Sequence, residues 1–73
     1  MNEKEIQLLN KLAEKIKSRR LELDLSQEAL ANKSGLDRTY ISLVERSKRN
    51  PSYLTLIKLC DGLETDIKEL LEQ

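Results

Sequence analysis

The chain of 73 residues has no histidine, tryptophan or phenylalanine, and only one cysteine, one proline and two glycines. Without histidine, and with Cys60 its only thiol, it has no ligand set for structural zinc, no partner for an internal disulfide and no imidazole for acid–base work. It also has no nucleophile-and-base pair and no glycine-rich phosphate loop, so the residues argue against an enzyme, and neither metal nor cofactor is expected. No apolar run approaches the roughly 18 residues of a membrane-spanning helix, and the charged N-terminus has no signal-peptide core. The cytoplasm is the expected address. β-branched and aromatic residues never cluster as strands require. A chain this short hides only about 60% of the surface that it exposes when unfolded. With no disulfide or zinc to help, oligomerisation is the expected source of further stability.

Charge is plentiful but balanced, with 13 Lys and Arg against 13 Asp and Glu. The balance is uneven along the chain. Residues 1–50 carry 11 basic against 8 acidic side chains, a net +3, and residues 51–73 carry 2 against 5, a net −3. That partition suits a protein with one end on phosphate, and equally suits an ordinary solvated surface. Periodicity is helical throughout. Ile6, Leu9, Leu12, Ala13 and Ile16 recur at three- and four-residue spacing, which predicts a long first helix, with one apolar face, running to about Leu23. Ser26, Asp37 and Ser52 are N-caps for three further helices, and Asp66 with Glu69 forms a capping-box-like start for a fifth. The expectation is all-α: one compact five-helix domain over residues 1–73.

The informative stretch is SQEALANKSGLDRTYISLVER, residues 26–46. It resembles the helix-turn-helix of the phage repressor and Cro family. In that frame Gln27 opens the first helix, Leu30 and Ala31 face inward, Gly35 takes the turn, and Ile41 and Val44 face inward from the second helix. Ala31 must be small where the helices cross, and Gly35 can adopt the positive φ of a sharp turn. Ser34 departs from the apolar residue usual before that glycine, but a small hydroxyl can bond back to a helix carbonyl, so the expected cost is slight. With Ile41 and Val44 inward, Thr39, Ser42, Leu43 and Arg46 fall on the opposite face, flanked by Arg38 at the end a recognition helix inserts. Arginine can hold guanine O6 and N7 with paired hydrogen bonds, and Thr and Leu methyls can meet a thymine methyl. The competing reading is a solvated face on a structural helix. Gln27, Lys48, Arg49 and Asn50 are candidates for phosphate contacts, against simple solvation for the loop residues, and Tyr40 is open between packing and a phosphate contact.

The resemblance to the repressor family covers about residues 12–71 and implies its five-helix fold. Within that family, LDRTYIS with ERSKRNPS looks most like the controller proteins of restriction-modification operons. That resemblance implies a dimeric regulator that binds DNA upstream of its own gene, activating at low occupancy and repressing at high occupancy, with RNA polymerase as a possible contact. It matches Arg38, Thr39, Tyr40, Ser42, Arg46, Arg49 and Asn50 to positions that touch DNA. Asp24 and Glu64 stand where many members have glycine at a helix end, so a left-handed backbone is expected at each. Arg20, continuing the apolar row of helix one, and Glu45, four residues beyond Ile41, are expected to pair, as the same residue types do in phage repressors.

Helix four is apolar over roughly 220° of its circumference, about twice what one core needs. With Leu56, Leu59, Cys60 and Leu63 inward, Leu54 and Ile57 are left beside Ile67 or Leu71 as a homodimer surface. A two-fold axis there would set two recognition helices about 34 Å apart on a near-palindromic operator. Alternatives from other classes are an antitoxin whose helix-turn-helix also binds a toxin, and a basic first helix, with Lys11, Lys15, Lys17 and Arg19, on anionic lipid. Cys60 reads as a small core residue before a redox sensor.

Overall fold

Long straight-chain residues fill the first third of the sequence, and they lose little rotamer freedom in a helix. In the computed structural model, which describes residues 1–72, they form α1 (Glu3–Glu22), followed by α2 (Gln27–Ser34), α3 (Arg38–Glu45), α4 (Tyr53–Gly62) and α5 (Ile67–Leu71). Each start is built by a local side chain. The oxygens of Ser26, Asp37, Ser52 and Asp66 accept from the backbone N–H groups of Ala29, Thr39, Thr55 and Glu69. At Asp66 the box is only half made, because the Glu69 carboxylate accepts from Thr65 Oγ1 at 2.9 Å instead. The complete capping box is at α1, between Asn2 and Glu5, where the sequence reading had not placed one.

The first four helices share one way of stopping. Leu25, Leu36, Lys48 and Thr65 donate their N–H groups back to the carbonyls of Arg20, Ala31, Leu43 and Cys60, the six-residue closure that satisfies orphan carbonyls. The residue before each is left-handed: Asp24 at φ 59°, Gly35 at 67°, Ser47 at 61° and Glu64 at 55°. Asp24 and Glu64 adopt the conformation expected of them, and Ser47 is a third case. Around Glu64 the closure is reinforced from outside. Arg19 donates to the carbonyls of Leu63 and Glu64 at 2.9 and 3.2 Å, and Lys33 donates to the Glu64 carboxylate at 2.7 Å. That hydrogen bond, then the charge of Lys33, holds the Glu64 carboxyl below its usual range. The pair is exposed, and its support fades as pH falls through the lowered value.

The core gathers Ile16, Leu30, Ala31, Ile41, Val44, Leu59, Cys60, Leu63 and Leu70. On α1 it starts later than the periodicity suggested. Ile6 is 46% exposed and Leu9 only half-buried, because the neighbouring helices cover the later turns of α1 and not the first. Between α2 and α4 the approach is close: a Cβ on Gly62 would stand 2.2 Å from Ser34 Oγ and 3.0 Å from Leu30 Cδ1. The bond that Ser34 could make to a helix carbonyl is not made. Its hydroxyl is buried without a partner among the described residues, and it occupies the space that a Cβ on Gly62 would fill.

Arg20 and Glu45 meet as a buried pair, with side chains 9% and 2% exposed. The guanidinium donates to both carboxylate oxygens, at 2.7 and 2.9 Å, and its third arm donates to the Leu25 carbonyl at 2.8 Å. Hydrogen bonding to Glu45 raises the Arg20 pKa against the opposing cost of burial. Removing either partner strands the other, so Arg20→Ala and Glu45→Gln should each lower the unfolding free energy by about 3 to 5 kcal/mol. A thermal midpoint within about a degree of wild type for both would show that the pair contributes nothing. At the α2–α4 contact, Ser34→Ala should raise stability by about 1 kcal/mol by removing an unpaired hydroxyl. Gly62→Ala should cost about 1 to 3 kcal/mol in the wild-type background and less beside Ser34→Ala. Equal costs in the two backgrounds, read from urea unfolding, would mean that Ser34 is not the obstacle.

Candidate nucleic-acid interface

A helix held by one flank offers the other. Ile41 and Val44 of α3 are fully buried, which turns Arg38 and Thr39 into solvent at the N-terminal end and Arg46 at the C-terminal end, with Ser42 and Leu43 half-buried between them. The structure therefore sets Arg38, Thr39, Ser42, Leu43 and Arg46 along one accessible side. Asp37 fixes that helix start by accepting from Thr39 N at 2.7 Å, so the Arg38 and Thr39 side chains leave from an ordered first turn. Arg46 lies at the other end, with Nε donating to the Ser42 carbonyl at 3.3 Å.

The loop after α3 carries Lys48, Arg49 and Asn50, all exposed, and ends on buried Pro51. Its exit is set by the left-handed Ser47 and by the 2.8 Å bond from Lys48 N to Leu43 O. Tyr40 is half-buried against the core, and the Arg49 guanidinium sits 5.4 Å from its ring centroid, a cation–π distance. Tyr40 thus packs, and it also steadies the nearest basic residue of the loop.

Gln27 is drawn partly inward. Its Nε2 donates to Glu45 Oε1 at 3.1 Å, which joins the first turn of α2 to the Arg20 pair. As the first residue of its helix, Gln27 has no intrahelical acceptor for its backbone N–H. Arg20, Ser26, Gln27, Glu28 and Arg38 surround a shallow depression at this point. Nothing in the sequence pattern marked that depression, because its members come from α1, α2 and α3. Backbone donors at a helix start, with arginine beside them, form an arrangement suited to a phosphate.

Among the described residues, the other candidate groups are inert. Cys60 is buried, and burial pushes its thiol pKa up, away from the reactive thiolate. Among the described residues no group of His, Cys, Asp or Glu could hold a metal ion, and no helix is long and apolar enough to cross a membrane.

Several known proteins are similar to this chain. The helix-turn-helix family matches residues 16–70. Control protein C.SmaI of Serratia marcescens is 52% identical over 60 residues, which span 82% of this chain and 71% of that one. Control protein C.MunI of Mycoplasma sp is 44% identical over 70 residues, 96% of this chain and 90% of that one. The restriction-modification controller protein C.Esp1396I, solved as a tetramer in complex with its natural 35 base-pair operator, has a TM-score of 0.82 at 46% identity, over 86% of this chain and 83% of that chain.

The sequence reading expects α3 to read bases and the loop after it to meet phosphate, and the two roles predict different behaviour. Arg38→Ala should lose about 1 to 3 kcal/mol on a preferred duplex and relax the choice of one base. Lys48→Ala should weaken all sequences alike and lower the salt slope by about one. Titration of both variants at several salt concentrations checks this, and indistinguishable behaviour would contradict the division.

Proposed function

Since this chain belongs to the helix-turn-helix family, and within it to the control proteins of restriction-modification systems, we propose that it regulates transcription of its own operon by binding a near-palindromic duplex operator as a homodimer. The observation that carries this reading is α3 itself, buried on the Ile41 and Val44 flank and open along Arg38, Thr39, Ser42, Leu43 and Arg46. These five enter the major groove, with Arg38 and Thr39 foremost. Gln27, Tyr40, Lys48, Arg49 and Asn50 hold the backbone and set the register. Activation at low occupancy would bring RNA polymerase into contact with the bound dimer. The antitoxin reading has no comparable support, because C.SmaI and C.MunI, the control proteins to which this chain is similar, span 82% and 96% of it.

Dimerisation through α4 and α5 is supported by apolar surface that the chain's own core leaves open. Leu54 is 72% exposed, Ile57 36% and Leu71 50%. Ile67, expected beside them, is half-buried against its own core and offers less of itself to a partner. A two-fold axis on this surface presents two copies of α3 about 34 Å apart, one turn of DNA.

Two measurements test the reading. Selection of bound sites from random duplexes should enrich a near-palindrome with half-sites about ten base pairs apart, and failure to enrich any motif would sink it. Ile57→Glu should leave a folded monomer by analytical ultracentrifugation and abolish the preference for a full operator over a half-site. A folded, dimeric variant that keeps the wild-type preference would place the interface elsewhere.

A further inference from the structure

We propose that the apolar groove between the first turns of α1 and the end of α5 is a second part of the dimer interface, filled by the start of α4 from a second copy of this chain. The inference rests on the two-fold dimer argued above. Leu8 and Leu12 wall the groove, Leu71 lines it, and Met1 and Asn50 border it. Glu5 carries its one charged side chain among the described residues, and that carboxylate is already engaged by the Asn2 N–H at 2.9 Å.

The groove is a feature that a lone copy leaves without a cover. Leu8 is 58% exposed and Leu71 50%. An amphipathic helix buries its apolar stripe against something, and the first two turns of α1 leave Ile6 46% and Leu8 58% exposed, whereas the core is reached only from Leu12 and Ala13 onward. The walls from α1 also precede residue 16, where the match to the helix-turn-helix family begins.

Area favours a second copy as the occupant. A stable interface of standard size takes about 800 Å² from each partner. Tyr53, Leu54, Ile57 and Leu71, with Ile67 already half-buried, are few apolar side chains for the core of an interface that size. The groove adds the missing surface without a break, because Leu71 belongs to both regions and Asn50 leads through Pro51 and Ser52 directly into α4.

Chemistry selects the start of α4 as the part that enters. Residues 52–57, Ser-Tyr-Leu-Thr-Leu-Ile, carry no charge in a chain that is 36% charged, and Tyr53 and Leu54 stand out from them. α5 is a poorer occupant, since its exposed residues include Lys68 and Glu69. A two-fold axis makes the contact reciprocal, so the α4 start of each copy fills the groove of the other.

The test compares full-length wild type, Leu8→Glu and Leu21→Glu by sedimentation equilibrium. Leu21, 57% exposed near the opposite end of α1, controls for placing a charge on an exposed leucine of the same helix. Leu8→Glu should raise the dimer dissociation constant by at least about tenfold, because it buries an unpaired charge, while Leu21→Glu stays within about twofold. Leu8→Cys copies mixed with Leu54→Cys copies should also be joined by a short bismaleimide far more often than Leu21→Cys copies mixed with Leu54→Cys. A dimeric wild type with an unchanged constant in Leu8→Glu, or with no preferential joining, overturns the groove assignment and leaves the α4 dimer standing. A wild type that is monomeric at every concentration removes the dimer and the groove together.

Discussion

The buried pair of Arg20 and Glu45 is the contact on which the rest of the arrangement depends. It joins the end of α1 to the inner side of α3, and through Gln27 and the Leu25 carbonyl it reaches the first turn of α2 and the loop before it. A buried ion pair adds little net stability, because desolvation offsets most of its attraction, but its geometry tolerates few alternatives. A slip of α3 along α1 would break three hydrogen bonds to one carboxylate at once. The pair therefore sets where α3 lies relative to α2, and that relation determines which residues a duplex can meet.

The features legible in the sequence were those whose cause is local. Ser26, Asp37, Ser52 and Asp66 cap because a short oxygen-bearing side chain just before an apolar periodic run bonds the next turn, whatever the tertiary structure. The outward face of α3 was legible from the inward placing of Ile41 and Val44, and Arg20 was legible as a charge in an apolar row. The misses depend on partners distant in sequence. Ser34 was expected to cost little by bonding back to its helix, and its surroundings are set by Gly62, 28 residues away. Ile6 was placed on the buried face, since periodicity shows that a face is apolar without showing whether anything covers it. Ser47 gave no warning, because nothing in its residue type demands a left-handed backbone. The depression at the start of α2 joins three helices and has no contiguous signature.

The residues proposed to meet DNA differ in how firmly the fold holds them. Thr39 and Arg38 leave a capped helix start, and Tyr40 is anchored in the core with Arg49 resting on its ring. Lys48 and Asn50 have no side-chain partner among the hydrogen bonds of the described residues, although the backbone of Lys48 is fixed by its bond to Leu43. Ordered groups lose little entropy when they read a base, and loosely held charges adapt to a phosphate wherever it lies. On the proposed reading, the same short segment would supply both an ordered helix start for selection and loosely held charges for docking.

The left-handed helix ends have an evolutionary consequence. Asp24 and Glu64 each carry a strain of up to about 1 kcal/mol that glycine would relieve. Every aspartate codon and every glutamate codon lies one nucleotide from a glycine codon, so the relief is a single step away at both sites. Natural chains sit just above the stability they need rather than at their optimum, under a steady supply of mutations. Asp24 marks unused headroom in this protein, a place where a lineage that needed a longer-lived regulator could obtain one without altering any residue of the recognition helix, whereas at Glu64 the same step would also remove the carboxylate that Lys33 holds.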